Sequence, residues 1–312
     1  MLKRFLTGAV ILALVVGFFA LRFVSPYFMD AFFGVILILS TYEMCNVCKN
    51  YGKKLNTNFV LAFSAIICVL ITLLSVLKAD IILTFGILLA SLFLMFGTTL
   101  VLNFVLKNRT NKEMVESKYV GTLRKYATEK SITNLYVMFY PTFILSLFLV
   151  INHFSDFSNF AGLNGKNVEF FALIMIFVTT IITDTGAYFI GSGLQGKKLC
   201  PKISPNKTIS GAVGGLVFSM VFSMIMFFIL SPLGFLDLFT TYNLTYVHFL
   251  VYGVIASVFT QCGDIFASYI KRRLGVKDFG KILPGHGGIM DRVDGLMFNG
   301  FVTLILILII FA

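Results

Sequence analysis

The chain has 312 residues, of which 58% are hydrophobic, including 36 Phe, and only 12% are charged; its mean hydropathy is +0.93 and its formal net charge +11. A soluble domain of this length cannot bury so much apolar surface, so the solvent is a lipid bilayer and a water-soluble globular fold is excluded. In a bilayer each span needs roughly 20 apolar residues that satisfy their backbone hydrogen bonds internally, so the fold class is an all-α integral membrane protein.

Nine segments have that length: 5–24, 27–44, 59–77, 81–106, 135–152, 169–190, 209–230, 247–267 and 296–311. The first follows Lys3-Arg4 like a signal peptide, but Leu21-Arg22-Phe23 occupies the place of a small-residue cleavage site, so it is expected to be retained. Alternate connections collect 22 of the 25 Lys and Arg; only Arg22, Lys78 and Lys166 fall on the other side. Basic loops stay in the cytoplasm, which predicts nine spans with the N-terminus cytoplasmic and the C-terminus outside.

Residues 1–134 read as an N-terminal membrane scaffold of four spans plus a basic loop. Residues 135–312 read as a catalytic membrane domain of five spans with loops 191–208 and 268–295. In the scaffold, Glu43 stands near the end of the second span, where it either lines a polar cavity or reaches the interface. The pair Cys45-x-x-Cys48 has no second pair after it, so two small helix residues explain it better than a metal site. The mixed-charge stretch 107–134 is expected on the cytoplasmic surface, where its bases suit anionic headgroups.

From residue 169 onward the character changes. Asp184 lies within the sixth span, where an ionisable side chain is costly and hence a functional candidate, and Tyr188 shares its helical face. Gly191-Ser-Gly193-Leu-Gln-Gly196 matches GxGxxG, and Gly191 to Lys197 matches GxxxxGK. Dinucleotide and P-loop sites need a preceding strand, whereas this run follows a membrane helix, so only a phosphate-cradling nest beside Lys197 and Lys198 stays open. Ser204-Pro205-Asn206-Lys207-Thr208 precedes the seventh span: Ser204 or Thr208 can cap the helix, and Lys207 adds positive charge where the helix dipole already attracts anions.

The stretch Asp264–Asp294 holds four aspartates and six bases around a Pro284-Gly285-His286-Gly287-Gly288 turn. Asp264, Ser268 and Lys271 or Arg272 share one helical face, while Asp291 and Asp294 sit three apart at the start of the last span. A topogenic anchor needs only bases. Clustered carboxylates beside Lys and Arg instead suit Mg²⁺ and a polyphosphate, the parts of phosphoryl or nucleotidyl transfer.

With these residues in view, Ser268-Tyr-Ile-Lys271-Arg272, Lys277-Asp278 and Leu283-Pro284-Gly285-His286-Gly287-Gly288-Ile289-Met290-Asp291-Arg292-Val293-Asp294 resemble the signature of the phosphatidate cytidylyltransferase (CDP-diacylglycerol synthase) family. Asp184-x-x-Ala187-Tyr188 and Ser204-Pro205-x-Lys207-Thr208 are similar to that family's upstream motifs. The resemblance implies a multi-pass enzyme of the plasma membrane that turns CTP and bilayer phosphatidate into CDP-diacylglycerol and pyrophosphate, with Mg²⁺ and a monovalent cation such as K⁺. Membrane lipids are its surroundings, nucleic acid is not an expected partner, and a homodimer is left open.

Carried over, the resemblance implies Asp264, Asp291 and Asp294 at the metal, catalytic roles for Lys271 and Arg272, and phosphate contacts from Ser204, Lys207, Thr208, Lys277, His286 and Arg292. Asp184, Tyr188 and Asp278 are further candidates. Two positions depart from the family pattern: Ala267 and Ser210 stand where Glu is usual. Two other functions fit the pattern less well. A CTP-dependent polyprenol or phytol kinase would need a base for its alcohol acceptor, and an ion or lipid transporter would be expected to show the internal repeats that this chain lacks.

Overall fold

The computed structural model describes residues 2–110, 117–163, 167–285 and 287–311. Among them, eight helical segments are long and apolar enough to cross a membrane. The expected first span forms a helix, α1 (Leu2–Arg22), whose stretch Leu6–Arg22 is apolar. His286, Lys166 and part of the 107–130 loop lie outside the described residues.

The chain divides into two compact units. The first comprises Met1–Ser146 with Phe279–Met290. It contains α1, α2 (Tyr27–Asn50), α3 (Thr57–Val76), α4 (Ile81–Thr110) and α5 (Ser117–Val137), which continues through a π-helical stretch, Met138–Phe143, into α6 (Ile144–Asn152). Met29, Leu37 and Met44 of α2, Val60 and Ile71 of α3, and Leu88 and Met95 of α4 are buried. Between helices in a bilayer such side chains stabilise by close van der Waals packing rather than by leaving water.

The fifth span differs from the sequence expectation: the apolar segment is Lys125–Asn152, not 135–152, so part of the expected surface loop is in the bundle. The reason is polar pairing. Asn134 Oδ1 accepts from the Asn56 backbone N–H (3.0 Å), Asn56 Nδ2 donates to Asn103 Oδ1 (3.0 Å), and Asn103 Nδ2 donates to Ser131 Oγ (3.3 Å). Amides that hydrogen-bond one another can be buried, which hydropathy alone does not reveal.

The second unit comprises Leu147–Asp278 and Asp291–Ala312. It holds the end of α6, α7 (Val168–Leu194), an antiparallel hairpin of β1 (Lys198–Cys200) and β2 (Ser204–Thr208), α8 (Ile209–Leu230), the short α9 (Leu236–Thr241), α10 (Tyr246–Arg273) and α11 (Met290–Phe311). Phe171, Phe227, Phe239 and Phe249 pack ring against ring at one end, with centroids 5.2–5.7 Å apart. Mid-bundle, Asn299 Nδ2 donates to Thr179 Oγ1 (2.8 Å), Thr180 Oγ1 (2.9 Å) and the Ile176 carbonyl (3.0 Å), tying α11 to α7.

Candidate active site

The second unit brings α7, β2, α8 and α10 together around a cavity of about 820 Å³. Asp184 and Tyr188 reach it from α7, Asn206, Lys207 and Thr208 from the hairpin, and Gln261 and Asp264 from α10. Helices approach this closely because glycines meet: at Gly191 of α7 a Cβ would stand 3.2 Å from Gly211 Cα and 2.9 Å from Thr208 Oγ1. Gly191 and Gly193 therefore continue α7, and the chain leaves it only at Gln195, which has positive φ. Gly191 thus serves helix packing, and Gly191, Ser192 and Gln195 line the cavity.

Thr208 caps α8, its Oγ1 accepting from the Gly211 N–H at 3.0 Å. Such a cap satisfies one of the orphan donors of a helix start and contributes about 1 kcal/mol. Ser210, where the family pattern has Glu, accepts from the Gly196 N–H (3.3 Å) and donates to Thr208 Oγ1 (3.2 Å), so in this chain it closes the base of the hairpin. Ser204 pairs with Cys200 in the ladder. Fixed in this way, the hairpin places Lys207 Nζ 2.8 Å from Asp264 Oδ2.

Asp264 has a second neighbour, a carboxyl group. Its residue pair Gly263-Asp264 on α10 faces the mirrored pair Asp294-Gly295 on α11; a Cβ at Gly263 would lie 2.5 Å from the Asp294 carbonyl and 3.2 Å from Gly295 Cα. This backbone contact sets the Asp264 and Asp294 side chains within hydrogen-bonding reach of each other. Asp184 feels the charges of Asp264, Lys207 and Arg292. Two carboxylates in contact are stabilised by cations, and hard oxygen donors of this kind are those that Mg²⁺ takes one or two at a time. The residues thus fit the ion, although no group of three or more His, Cys, Asp or Glu side chains converges on one point among the described residues.

Asp291 Oδ1 accepts from Lys271 Nζ at 2.7 Å, with the side chains only 2% and 13% exposed. Lys271 and Asp264 share a helical face, yet the structure gives Lys271 to Asp291 and Lys207 to Asp264. Arg272 Nε donates to the Ile203 carbonyl (3.1 Å), tethering the hairpin turn to α10. Lys277 and Asp278 are exposed beyond α10, Arg292 is exposed on the first turn of α11, and His286 lies outside the described residues. Ala267, the other departure, is sealed in the interior at 0% exposure. Cys45 and Cys48 are buried on α2. Gln195, Asn206 and Gln261, which the sequence reading did not single out, also line the cavity; no charge or motif distinguishes them in the sequence.

The fold and the site together define a multi-span helical membrane protein with an acidic pair, flanking lysines and a cavity of nucleotide size. The cytidylyltransferase family model matches residues 2–310, and the chain belongs to that family. It is similar to proteins named phosphatidate cytidylyltransferase from Bacillus subtilis (40% identity over 136 residues, 43% of this chain and 47% of that protein) and Staphylococcus haemolyticus (44% over 126 residues, 40% of this chain and 45% of that protein). The Staphylococcus aureus protein of the same name is 42% identical over 126 residues. The matched stretch spans about half the length of these relatives.

Proposed function

We propose that the chain transfers the cytidylyl group of CTP to phosphatidate, giving CDP-diacylglycerol and pyrophosphate, at the cytoplasmic face of the plasma membrane. The observation that carries this reading is the Asp264–Asp294 contact beside Lys207, opening into the cavity that Asp184 also lines. The names of the relatives and the basic character of the loops support the substrate and the orientation.

In this reading Lys207 leaves Asp264 in part to meet the triphosphate, and Lys198 and Arg292 neutralise charge on the same side. Asp264 and Asp294 would hold Mg²⁺, with Asp184 facing them across the cavity. Mg²⁺ held there would supply positive charge against the phosphates during in-line displacement. An oxygen of the lipid phosphate forms the new bond to the α-phosphorus as the bond to the β-phosphate oxygen breaks, and pyrophosphate carries away the electron pair. The attacking oxygen is already anionic, so positioning and charge stabilisation suffice and no side chain has to act as a strong base. Lys271 and Asp291 keep the adjoining helix ends, and hence Arg292, in register.

The test is formation of CDP-diacylglycerol by the purified full chain in detergent micelles containing phosphatidate, CTP and Mg²⁺. Product that requires the lipid and disappears with EDTA and in Asp264→Asn is the expected outcome. Folded parent protein that makes none, across divalent metals and acyl chains, overturns the proposal.

A further inference from the structure

Glu43 is a carboxylate on a membrane helix that the proposed chemistry does not use, and it is 2% exposed. In the first unit it meets the loop Phe279–Met290 at three places. Its Oε2 accepts from the backbone N–H of Met290 at 2.9 Å, where the negative charge also faces the positive end of α11. Gly280 and Gly288 pass so close to the carboxylate that a Cβ on either would collide with its oxygens. Neither glycine needs positive φ, so the contact with Glu43, not backbone conformation, excludes larger residues there.

The rest of the loop is built to match. Phe279 is buried, Leu283 N–H donates to the Gly287 carbonyl at 2.9 Å, and Thr7 Oγ1 donates to the Pro284 carbonyl at 3.0 Å. The next residues along the chain are Asp291 and Arg292.

We propose that Glu43 is a positioning residue: its buried carboxylate anchors the Phe279–Met290 loop and so fixes the start of α11, on which Asp291 and Arg292 stand. The kinetic part of this inference rests on the cytidylyl-transfer reading; the anchoring part does not.

Glu43→Ala, Glu43→Gln and Gly288→Ala, each in the full chain in detergent, test it by tryptic cleavage after the exposed Lys281, with exposed Lys202 of the hairpin as an internal control. Loss of a hydrogen bond to a charged acceptor predicts cleavage at Lys281 about tenfold faster in Glu43→Ala, with Lys202 unchanged. Gln keeps an acceptor oxygen in place, so Glu43→Gln should stay within about threefold of the parent. Gly288→Ala, which drives a methyl group into the carboxylate, should be cut faster too, and it decides the matter if Glu43→Ala does not fold.

Kinetically, Glu43→Ala should lower kcat by as much as about a hundredfold, the cost of roughly 1 Å of misplacement, while KM for CTP stays within about threefold. Parent-like cleavage in Glu43→Ala, parent-like cleavage in Gly288→Ala, Glu43→Gln as labile as Glu43→Ala, or KM and kcat failing together would each overturn the proposal. Absence of any product from the parent would count against cytidylyl transfer alone, because the tryptic comparison still decides the anchor.

Discussion

Replacing Lys271 by Met removes one partner of the Lys271–Asp291 pair, whose atoms stand 2.7 Å apart with side chains 13% and 2% exposed. Breaking a buried pair in this way costs about 3–5 kcal/mol, because the remaining charge has lost water as well as its counter-ion. Lys271 keeps some contact with water, so the lower end, about 3 kcal/mol, is expected for Lys271→Met and for Asp291→Leu. In the double variant neither charge remains, so its destabilisation should fall short of the sum of the singles by about 2 kcal/mol or more. Unfolding of all four proteins by SDS titration in mixed micelles measures the cycle. CDP-diacylglycerol formation, assayed alongside, should be lost in every variant, including the double one. Additive single effects, with coupling below about 0.5 kcal/mol, would refute the claim that this pair holds the helix ends together.

Gly263→Ala should force α10 from α11, since the new methyl group would stand 2.5 Å from the Asp294 carbonyl; a destabilisation of about 1–3 kcal/mol and loss of turnover are expected, measured by the same titration and by product formation. Lys207→Met should raise KM for CTP by about 10- to 100-fold, the worth of one charge-assisted contact, in steady-state kinetics. Its effect on stability should stay below about 1 kcal/mol, because the Lys207 and Asp264 side chains are 29% and 20% exposed and water screens them. Ser210→Ala removes both hydroxyl contacts at the hairpin base and should cost about 1 kcal/mol, with faster tryptic cleavage at Lys202 as its local signature.

Long apolar runs made most of the helical architecture legible, because a bilayer leaves the backbone few other choices. The fifth span begins earlier than hydropathy indicates where Asn134, Ser131, Asn103 and Asn56 hydrogen-bond in a chain: pairing across 78 and 47 positions of sequence leaves no local signal. The hairpin of Lys198–Thr208 was hidden for a related reason, since strands of three and five residues carry no hydrophobic alternation. At the site, residue types and the 264–294 cluster were readable, but partners were not. Helical spacing offered Lys271 to Asp264, yet Lys207 takes that place through the hairpin and Lys271 turns to Asp291. The meeting of Asp264 with Asp294 depends on Gly263 and Gly295, whose significance appears only when α10 lies against α11. For Glu43 the sequence left two readings open, a polar cavity and the interface; the side chain is buried against its own loop glycines instead.

Cytidylyl transfer is tested most directly by the fate of two labels in one reaction. Purified protein in phosphatidate micelles with Mg²⁺ would receive CTP labelled either at the α-phosphate or at the γ-phosphate, and the chloroform-soluble lipid would be counted. The account predicts α-label in the lipid and γ-label only in pyrophosphate, with both signals gone in Asp264→Asn. Lipid carrying the γ-label would instead mark a kinase and contradict it.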